Sequence, residues 1–283
     1  MDTKLVKGLV LEGGATRGMY TAGVLDTFLE NDIDFDKIVG VSAGALFGVN
    51  YVSKQNGRAI RYNKKFNKDK NYMGVLPLLK EGNIIATKYA FEDVPLRLDP
   101  FDTEVYNASD KEFYAVVTNV DTGLTEYKRV SRLCEQMDTL RASGSMPMVS
   151  RPVEIAGNRY LDGAVRDSIP YKWMKDQGVD RIVVVLTQDR TYRKKPMPKV
   201  LLKAYGLLYP KIAEGMMQRH AMYNSQVEEL NKWEENRKAF VIRPSEPIVM
   251  AKLERDPEVL QKVYDLGVKD ALNCLEDLKE YLK

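Results

Sequence analysis

The sequence contains few of the residues that metal sites and the commonest hydrolase triads require. It has one histidine, His220, and two cysteines, Cys134 and Cys274, among 283 residues. The two cysteines lie far apart and show no metal-ligand spacing, so we expect neither a disulfide framework nor a structural zinc site, and we interpret both as packing residues. No metal and no cofactor is expected. A Ser-His-Asp triad would depend on His220 alone.

Excess charge of one sign and long apolar runs are also missing. The 43 basic and 40 acidic residues leave a formal net charge of +3, which on its own does not indicate nucleic-acid binding. No apolar run approaches the ~20 residues that span a bilayer, and residues 1–8 show no leader with a cleavage site. We therefore expect a cytoplasmic protein. With 44% hydrophobic and 29% charged residues, the chain can bury a substantial core.

The central feature of the sequence is a strand that runs into Gly-x-Ser-x-Gly. Residues 37–41 predict a short apolar strand. Gly40, Ser42 and Gly44 form the motif, which leads into a helix predicted over residues 43–54. A sharp strand-to-helix turn strains its central residue and needs neighbours with little side chain. The Ser42 hydroxyl would stand exposed at this turn, which we call the elbow. Ser42 is therefore a candidate nucleophile, although a short turn that contains serine by chance gives the same pattern.

A glycine-rich loop follows the first strand of the chain. Residues 8–11 predict a strand, residues 12–18 read Glu-Gly-Gly-Ala-Thr-Arg-Gly, and a helix is predicted over 19–30. Such a loop can cradle a phosphate, stabilise an oxyanion or simply tighten a turn. It lacks the Gly-Lys-Ser/Thr ending of a P-loop, and Ala15 interrupts the dinucleotide pattern. These departures make the phosphate interpretation the weaker one.

The order of elements predicts an α/β fold with a mostly parallel central sheet flanked by helices. Two successive strand-loop-helix units indicate parallel strands. In such sheets the functional residues usually lie at the carboxyl ends of the strands. Further strands are predicted at 112–120, 124–130 and 180–187, together with a cap of short helices at 73–110. We divide the chain into a catalytic domain, 1–190, and a mainly helical region, 191–283, that packs on the same domain.

A basic stretch with interleaved aromatic residues spans Lys54 to Lys70. Such a composition can bind an anionic membrane surface, but a solvated helix face is the commoner cause. Peripheral membrane contact is thus one interpretation of this stretch and an ordinary surface is the other.

Three ordered blocks resemble the signature of the patatin-like phospholipases. The blocks are residues 12–18, the Gly40–Gly44 elbow and Asp162-Gly163-Ala164, and the resemblance extends to Ala142-Ser143-x-x-x-Pro147. It covers roughly residues 5–188. Alone, an Asp-Gly bend such as Asp162-Gly163 is a common turn.

The resemblance implies a three-layer α/β/α fold and a serine acyl hydrolase that acts on lipids. It implies Ser42 as the nucleophile, Asp162 as its partner, and an oxyanion hole formed by the glycine block, with Gly13, Gly14, Ala15 and Arg17. This sequence departs from the family pattern at Glu12, where aspartate is frequent, and at Ala15, which replaces a glycine. An alanine N–H can still donate a hydrogen bond.

The presence of only one histidine favours a carboxylate as the base that activates Ser42. His220 lies in a Met- and Tyr-rich helical stretch outside the sheet pattern, where a surface or packing role is the usual one. An unperturbed aspartate has a pKa of ~3.9 and is a weak base at neutral pH, so Asp162 must lie near the Ser42 hydroxyl and be partly desolvated. Arg17 would support the loop or attract an anionic head group.

The predicted function is hydrolysis of lipid carboxyl esters, of phospholipase A or lysophospholipase type, through a Ser-Asp dyad. Two alternatives stay open: an esterase or thioesterase for soluble acyl compounds, and a non-catalytic lipid-binding module of the same fold. The expected partner is a lipid or acyl-ester substrate and not a nucleic acid. The sequence does not determine the acyl chain, the head group or the oligomeric state.

Overall fold

The computed structural model describes residues 5–283 and contains one eight-stranded sheet. Part of the N-terminal segment that we tested for a leader lies outside the described residues. The strands are β1 (Lys7–Leu11), β2 (Lys37–Val41), β3 (Glu112–Asn119), β4 (Thr125–Arg129), β5 (Val153–Ile155), β6 (Asn158–Asp162), β7 (Arg181–Val185) and β8 (Phe240–Ile242).

Five strands form the parallel part of the sheet, in the order β3-β2-β1-β7-β8. β4, β5 and β6 add antiparallel pairs, so the sheet is mixed. The prediction of a mostly parallel sheet is confirmed. β7 is an inner strand between β1 and β8, which explains its continuous apolar sequence, since both of its faces are covered.

Helices cover the sheet. They are α1 (Met19–Glu30), α2 (Ala43–Val52), α3 (Arg58–Phe66), α4 (Val75–Glu81), α5 (Thr103–Ala108), α6 (Met137–Gly144), α7 (Tyr171–Asp176), α8 (Lys199–Gly206), α9 (Pro210–Glu235), α10 (Pro257–Asn273) and α11 (Leu275–Tyr281). A π-helical segment, Tyr89–Leu98, lies between α4 and α5. The short elements of residues 75–108 match the predicted cap.

Alternating strand residues separate two hydrophobic cores. Leu9 and Leu11 of β1 pack in a core with α1, α2 and α10, whereas Val10 packs in a second core with α7 and α9. Successive strand residues point to opposite faces, so the sheet has a helical layer on each side. The three-layer α/β/α architecture is confirmed.

The C-terminal region is part of this architecture. β8 pairs with β7, and α10 crosses α1 so closely that a Cβ added at Gly267 would lie 2.1 Å from the carbonyl oxygen of Tyr20. Only glycine permits this approach. The domain boundary at residue 190 stays a prediction. The region after it is mainly helical, β8 adds a strand to the sheet, and α10 packs in the core.

The basic stretch is partly structural. Arg58 is 1% exposed and donates to the carbonyl oxygen of Asp99, and Arg61 forms an ion pair with the Asp99 carboxylate. Lys64 donates to Gln261 at 2.8 Å. Arg58 is therefore buried away from any membrane, while the role of the remaining lysines stays a prediction. Within residues 5–283 no helix is both long enough and apolar enough to cross a bilayer.

The two cysteines are free. Cys134 is exposed, so its interpretation as a packing residue was wrong. Cys274 is partly buried and packs against the core that contains α1 and α10.

Candidate active site

Ser42 occupies a strained backbone conformation at the start of α2. Its φ and ψ angles are 53° and −121°, a combination that costs on the order of 1–3 kcal/mol for a residue other than glycine. The two flanking glycines leave room for the turn. A Cβ at Gly40 would lie 2.5 Å from the Ala45 nitrogen, and one at Gly44 would lie 2.4 Å from the Leu11 carbonyl oxygen.

The register of β3 brings Asp162 to Ser42. Val41, the residue before Ser42, pairs with Val116 of β3, and Asp162 pairs with the next β3 residue, Val117. β4 occupies the other edge of β3 along this segment. β2 and β6 therefore meet end to end along one edge of β3, and the meeting point carries Ser42 and Asp162.

Asp162 is 5% exposed, and burial raises the pKa of its carboxyl group. Arg219, the Ala164 N–H and a side-chain hydrogen bond with Ser42 act in the opposite direction. The Ala164 N–H donates to Oδ1 at 2.9 Å. A carboxyl group that is desolvated and still hydrogen-bonded to the Ser42 hydroxyl is a stronger base than an exposed aspartate.

The glycine loop lies against Ser42. A Cβ added at Gly13 would be 2.8 Å from the Ser42 Cβ, so the loop backbone touches the elbow. Within residues 5–283, the N–H groups of Gly13, Gly14 and Ala15 donate to no other protein group. Three unused donors beside a serine hydroxyl can stabilise a negative charge that develops on a bound carbonyl oxygen.

The two departures in this loop lie at structurally constrained positions. Ala15 has φ = 50°, a left-handed conformation in which glycine is the usual residue. Glu12 is 3% exposed, and its Oε2 accepts the Thr187 N–H at 2.6 Å and the Thr187 hydroxyl at 3.2 Å. Glu12 thus links the end of β1 to the residues after β7 and fixes the loop.

The block at residues 142–147 contacts both members of the Ser-Asp pair. Ser143, which is fully buried, accepts the Ser42 N–H at 2.9 Å. The carbonyl oxygen of Ser145 accepts the Asp162 N–H at 2.9 Å. Our sequence analysis gave these serines no role in the site, although the Ala-Ser-x-x-x-Pro pattern was the signal that could have found them.

His220 lies on α9, and its Nδ1 is buried without a partner among residues 5–283. Within the same residues no hydrogen bond joins it to Ser42 or Asp162. Its neighbour Arg219 does reach the site, where Nε donates to the Ala164 carbonyl oxygen at 2.6 Å. In the part of the chain that the structure describes, no three potential ligands cluster to bind a metal.

An apolar cavity of about 70 Å³ opens beside Ser42. Its lining includes Leu46, Phe47, Tyr62, Tyr72, Ile85 and Leu253. A second cavity of about 60 Å³ shares Leu46, Tyr62, Tyr72 and Ile85 with the first and continues toward the π-helical segment. The two cavities together give an apolar chain a path from the elbow into the cap.

A model of the patatin-like phospholipases matches residues 9–172. The chain belongs to this family. The match includes the glycine loop, the elbow and Asp162, so the patatin-like part of the chain contains the whole Ser-Asp pair. A model of a domain of unknown function (DUF6363) matches residues 209–283, a segment that supplies α9 and Arg219.

Related proteins match about two thirds of the chain. The uncharacterized protein YjjU of Escherichia coli is 32% identical over 189 residues, which is 63% of this chain and 51% of YjjU. Lysophospholipase NTE1 of Candida albicans is 30% identical over 65% of this chain and 13% of its own length. The match thus spans about half of the first relative and a small part of the second. The crystal structure of VipD from Legionella pneumophila aligns over 97% of this chain and 67% of VipD, with a TM-score of 0.48 and 14% identity.

Proposed function

We propose that this patatin-like protein is a serine hydrolase that cleaves carboxyl esters of lipids, of phospholipase A or lysophospholipase type. The observation that carries the proposal is the pairing of Ser42 with the buried Asp162 beside three unused N–H donors of the glycine loop. Two relatives add support through their names, lysophospholipase NTE1 and a probable lipid hydrolase, 463L, of Invertebrate iridescent virus 6.

In the first half of the reaction, Asp162 takes the proton of the Ser42 hydroxyl as Oγ attacks the ester carbonyl carbon. The N–H groups of Gly13, Gly14 and Ala15 hold the oxyanion of the tetrahedral intermediate. When the intermediate collapses, the C–O bond to the alcohol breaks, and the leaving alkoxide receives the proton from Asp162. The product is an acyl-enzyme ester on Ser42.

In the second half, water attacks the acyl-enzyme and gives its proton to Asp162. Collapse of the second tetrahedral intermediate breaks the bond to Ser42 Oγ, which recovers its proton, and the free carboxylic acid leaves. The same base and the same loop serve both halves, so no other titrating group is needed.

The cavities beside Ser42 favour an apolar acyl group. Their small volumes also favour a second candidate, an esterase or thioesterase for soluble compounds with short acyl groups. Profiling hydrolysis across phospholipids, lysophospholipids and p-nitrophenyl esters of increasing chain length separates the two candidates.

Active-site labelling tests the proposal directly. We expect a fluorophosphonate probe to label the wild-type protein at Ser42 and to leave the Ser42→Ala variant unlabelled. A matched Ser109→Ala variant, which changes a partly exposed serine outside the site, should label like the wild type. Unchanged labelling of Ser42→Ala would remove the hydrolase proposal.

A further inference from the structure

Four basic residues lie close enough together beside the Ser-Asp pair to repel one another, and three of them come from the chain after residue 190. We call this set the basic cluster; its members are Arg17, Lys194, Arg219 and Lys252. Among residues 5–283, none of the four forms an ion pair, whereas several other arginines of the chain do. Clustered cations without acidic partners can bind an anion.

Arg219 connects the C-terminal region to the Asp162 turn. Its Nε donates to the Ala164 carbonyl oxygen at 2.6 Å, and the Ala164 N–H in turn donates to Asp162. The guanidinium group is thus held beside the proposed base.

Lys252 is held beside the cavity that contains Ser42. Its carbonyl oxygen accepts the Thr16 hydroxyl at 3.0 Å and the Thr16 N–H at 3.3 Å. Thr16 and Leu253, the neighbour of Lys252, both line that cavity. The Lys252 ammonium is close enough to Asp162 for the two charges to influence each other.

Lys194 approaches from the side of Glu12. Its Nζ lies 4.3 Å from the centroid of the Tyr223 ring, and a side-chain hydrogen bond joins Tyr223 to Glu12. Glu12 immediately precedes Gly13, which touches Ser42. This chain of contacts places Lys194 on the glycine-loop side of the site.

The charge in this region is not balanced by the protein. Burial, followed by the repulsion of Arg219, lowers the pKa of Lys194 to about 8 and also lowers the pKa of Lys252. The Nε of Arg17 is buried and donates to no group within residues 5–283. The two acids that face the cluster, Glu12 and Asp162, are themselves buried with raised pKa values. A donor left unsatisfied among repelling cations is costly unless an anion binds there.

We propose that the basic cluster binds a phosphate group of the ester substrate, so that the C-terminal region determines the selectivity of the patatin-like site. This inference rests on the proposed hydrolase function. The substrate class would be acyl esters whose alcohol part carries an anionic phosphate near the ester, with the acyl chain in the apolar cavities and the phosphate on Lys194, Lys252 and Arg17. Arg219 would contribute charge while positioning Asp162.

The test uses two soluble, monomeric esters with the same short acyl group, one on a glycerol phosphate and one on neutral glycerol. Monomeric substrates remove any effect of a membrane surface. For the wild type we expect kcat/KM to be at least ~10-fold higher for the phosphate ester, with added salt reducing this preference. Lys194→Gln and Lys252→Gln should each reduce the ratio several-fold, and the double variant should nearly abolish it.

Matched variants control for charge and folding. Lys252→Arg keeps the cation and should keep most of the preference, and Lys238→Gln, at an exposed position of the same region, should leave the ratio as in the wild type. Inorganic phosphate should inhibit hydrolysis of the neutral ester competitively, and more weakly in the double variant. Much tighter binding of phosphate than of the phosphate ester would mean that the cluster is a site for the free ion and would overturn the inference.

Failure of the inference and failure of the hydrolase proposal give different results. Equal kcat/KM for the two esters in the wild type, with Ser42 still labelled and active, overturns the phosphate subsite alone. If the double variant loses association with anionic vesicles while its kcat/KM ratio for the two esters stays as in the wild type, the cluster binds a membrane surface. That result would also overturn the inference. Hydrolysis of neither ester, with no labelling, would remove the function on which it rests. The effect of salt on the wild-type preference for the phosphate ester tests the inference even if a variant does not fold.

Discussion

The hydroxyl oxygen of Ser143 accepts the N–H of Ser42 at 2.9 Å, although 101 positions separate the two residues. The bond ties the strained elbow to the end of α6, which packs on β3 and β6. Ser145, two residues further, accepts the Asp162 N–H. One short segment therefore holds both the proposed nucleophile and the proposed base.

Removing the Ser143 hydroxyl should affect the rate more than substrate binding. Ser143→Ala leaves the buried Ser42 N–H without its acceptor, which we expect to lower the free energy of unfolding by ~1–3 kcal/mol and to reduce kcat at nearly constant KM. Urea unfolding and ester kinetics measure the two effects. Ser145→Ala should change kcat less, because the Ser145 backbone carbonyl holds Asp162 in either variant. A normal kcat in Ser143→Ala would show that the segment has only a structural role.

The dyad and the triad make opposite predictions for two variants. Asp162→Asn removes the proposed base while nearly preserving its shape, so hydrolysis should fall by the ~10²–10⁴-fold typical of general-base loss. His220→Ala should cost little, since no hydrogen bond joins His220 to Ser42 in residues 5–283. Both proteins must first show wild-type circular dichroism and melting. A folded His220→Ala protein without activity, beside an active Asp162→Asn protein, would exclude the dyad.

The pH dependence of hydrolysis should report the carboxyl group of Asp162. Burial raises its pKa and Arg219 opposes that rise, so kcat/KM should fall on acidification at a pH above the usual aspartate range. Arg219→Gln removes the opposing charge, and the acidic limb should then move to higher pH. Arg219→Lys keeps the charge and should leave the limb near its wild-type position. If the acidic limb of the kcat/KM profile stays at the same pH in both variants, a group other than Asp162 controls the rate.

Stability should depend on the ionisation of Asp26 in α1. Asp26 is 5% exposed and accepts the Tyr264 hydroxyl at 2.8 Å and the Gly57 N–H at 3.0 Å. Burial raises its pKa to about 6 from 3.8. Because the folded-state pKa is the higher one, the stabilisation from this group is present below pH ~4 and is lost as pH rises to ~6.

The Asp26→Asn variant removes this ionisation and can still accept the Tyr264 bond. It should match the wild type near pH 3.5 and exceed its free energy of unfolding by up to ~3 kcal/mol above pH 6, at about 1.4 kcal/mol per pKa unit. Urea unfolding between pH 3.5 and 8 measures the difference. Asp110→Asn, at an exposed position, is the matched control. A constant difference across this pH range would contradict the prediction.

The basic stretch gives a prediction about membranes. If the lysines of the stretch bind anionic lipid, neutralising Lys64, Lys65 and Lys68 should weaken association with phosphatidylserine vesicles and flatten its salt dependence, at about 1 kcal/mol for each charge near the surface. Vesicle co-sedimentation at several salt concentrations measures the effect. Neutralising Lys199, Lys203 and Lys211 provides a charge-matched control. Unaltered binding of the first variant would leave the stretch as an ordinary solvated face.

Local sequence predicted most of the strands, helix α1 and the elbow because each depends on neighbouring residues. The apolar period of residues 19–30 gave α1 with its observed bounds, and the requirement for small residues around Ser42 is local sterics. Helix α2 ends at Val52 and not at the expected residue 54. Such ends are set by a few local contacts and are the least predictable part of an element.

The tertiary structure decided which side chains meet. The alternation of strand residues fixed two apolar faces, but only the pairing of Val116 with Val41 and of Val117 with Asp162 brought the two proposed reactive groups together. The same holds for Lys194, Arg219 and Lys252, three of 43 basic residues that carry no local pattern. Their positions depend on how the C-terminal helices pack on the sheet, because long-range contacts, and not local spacing, determine where an ordinary charged side chain lies.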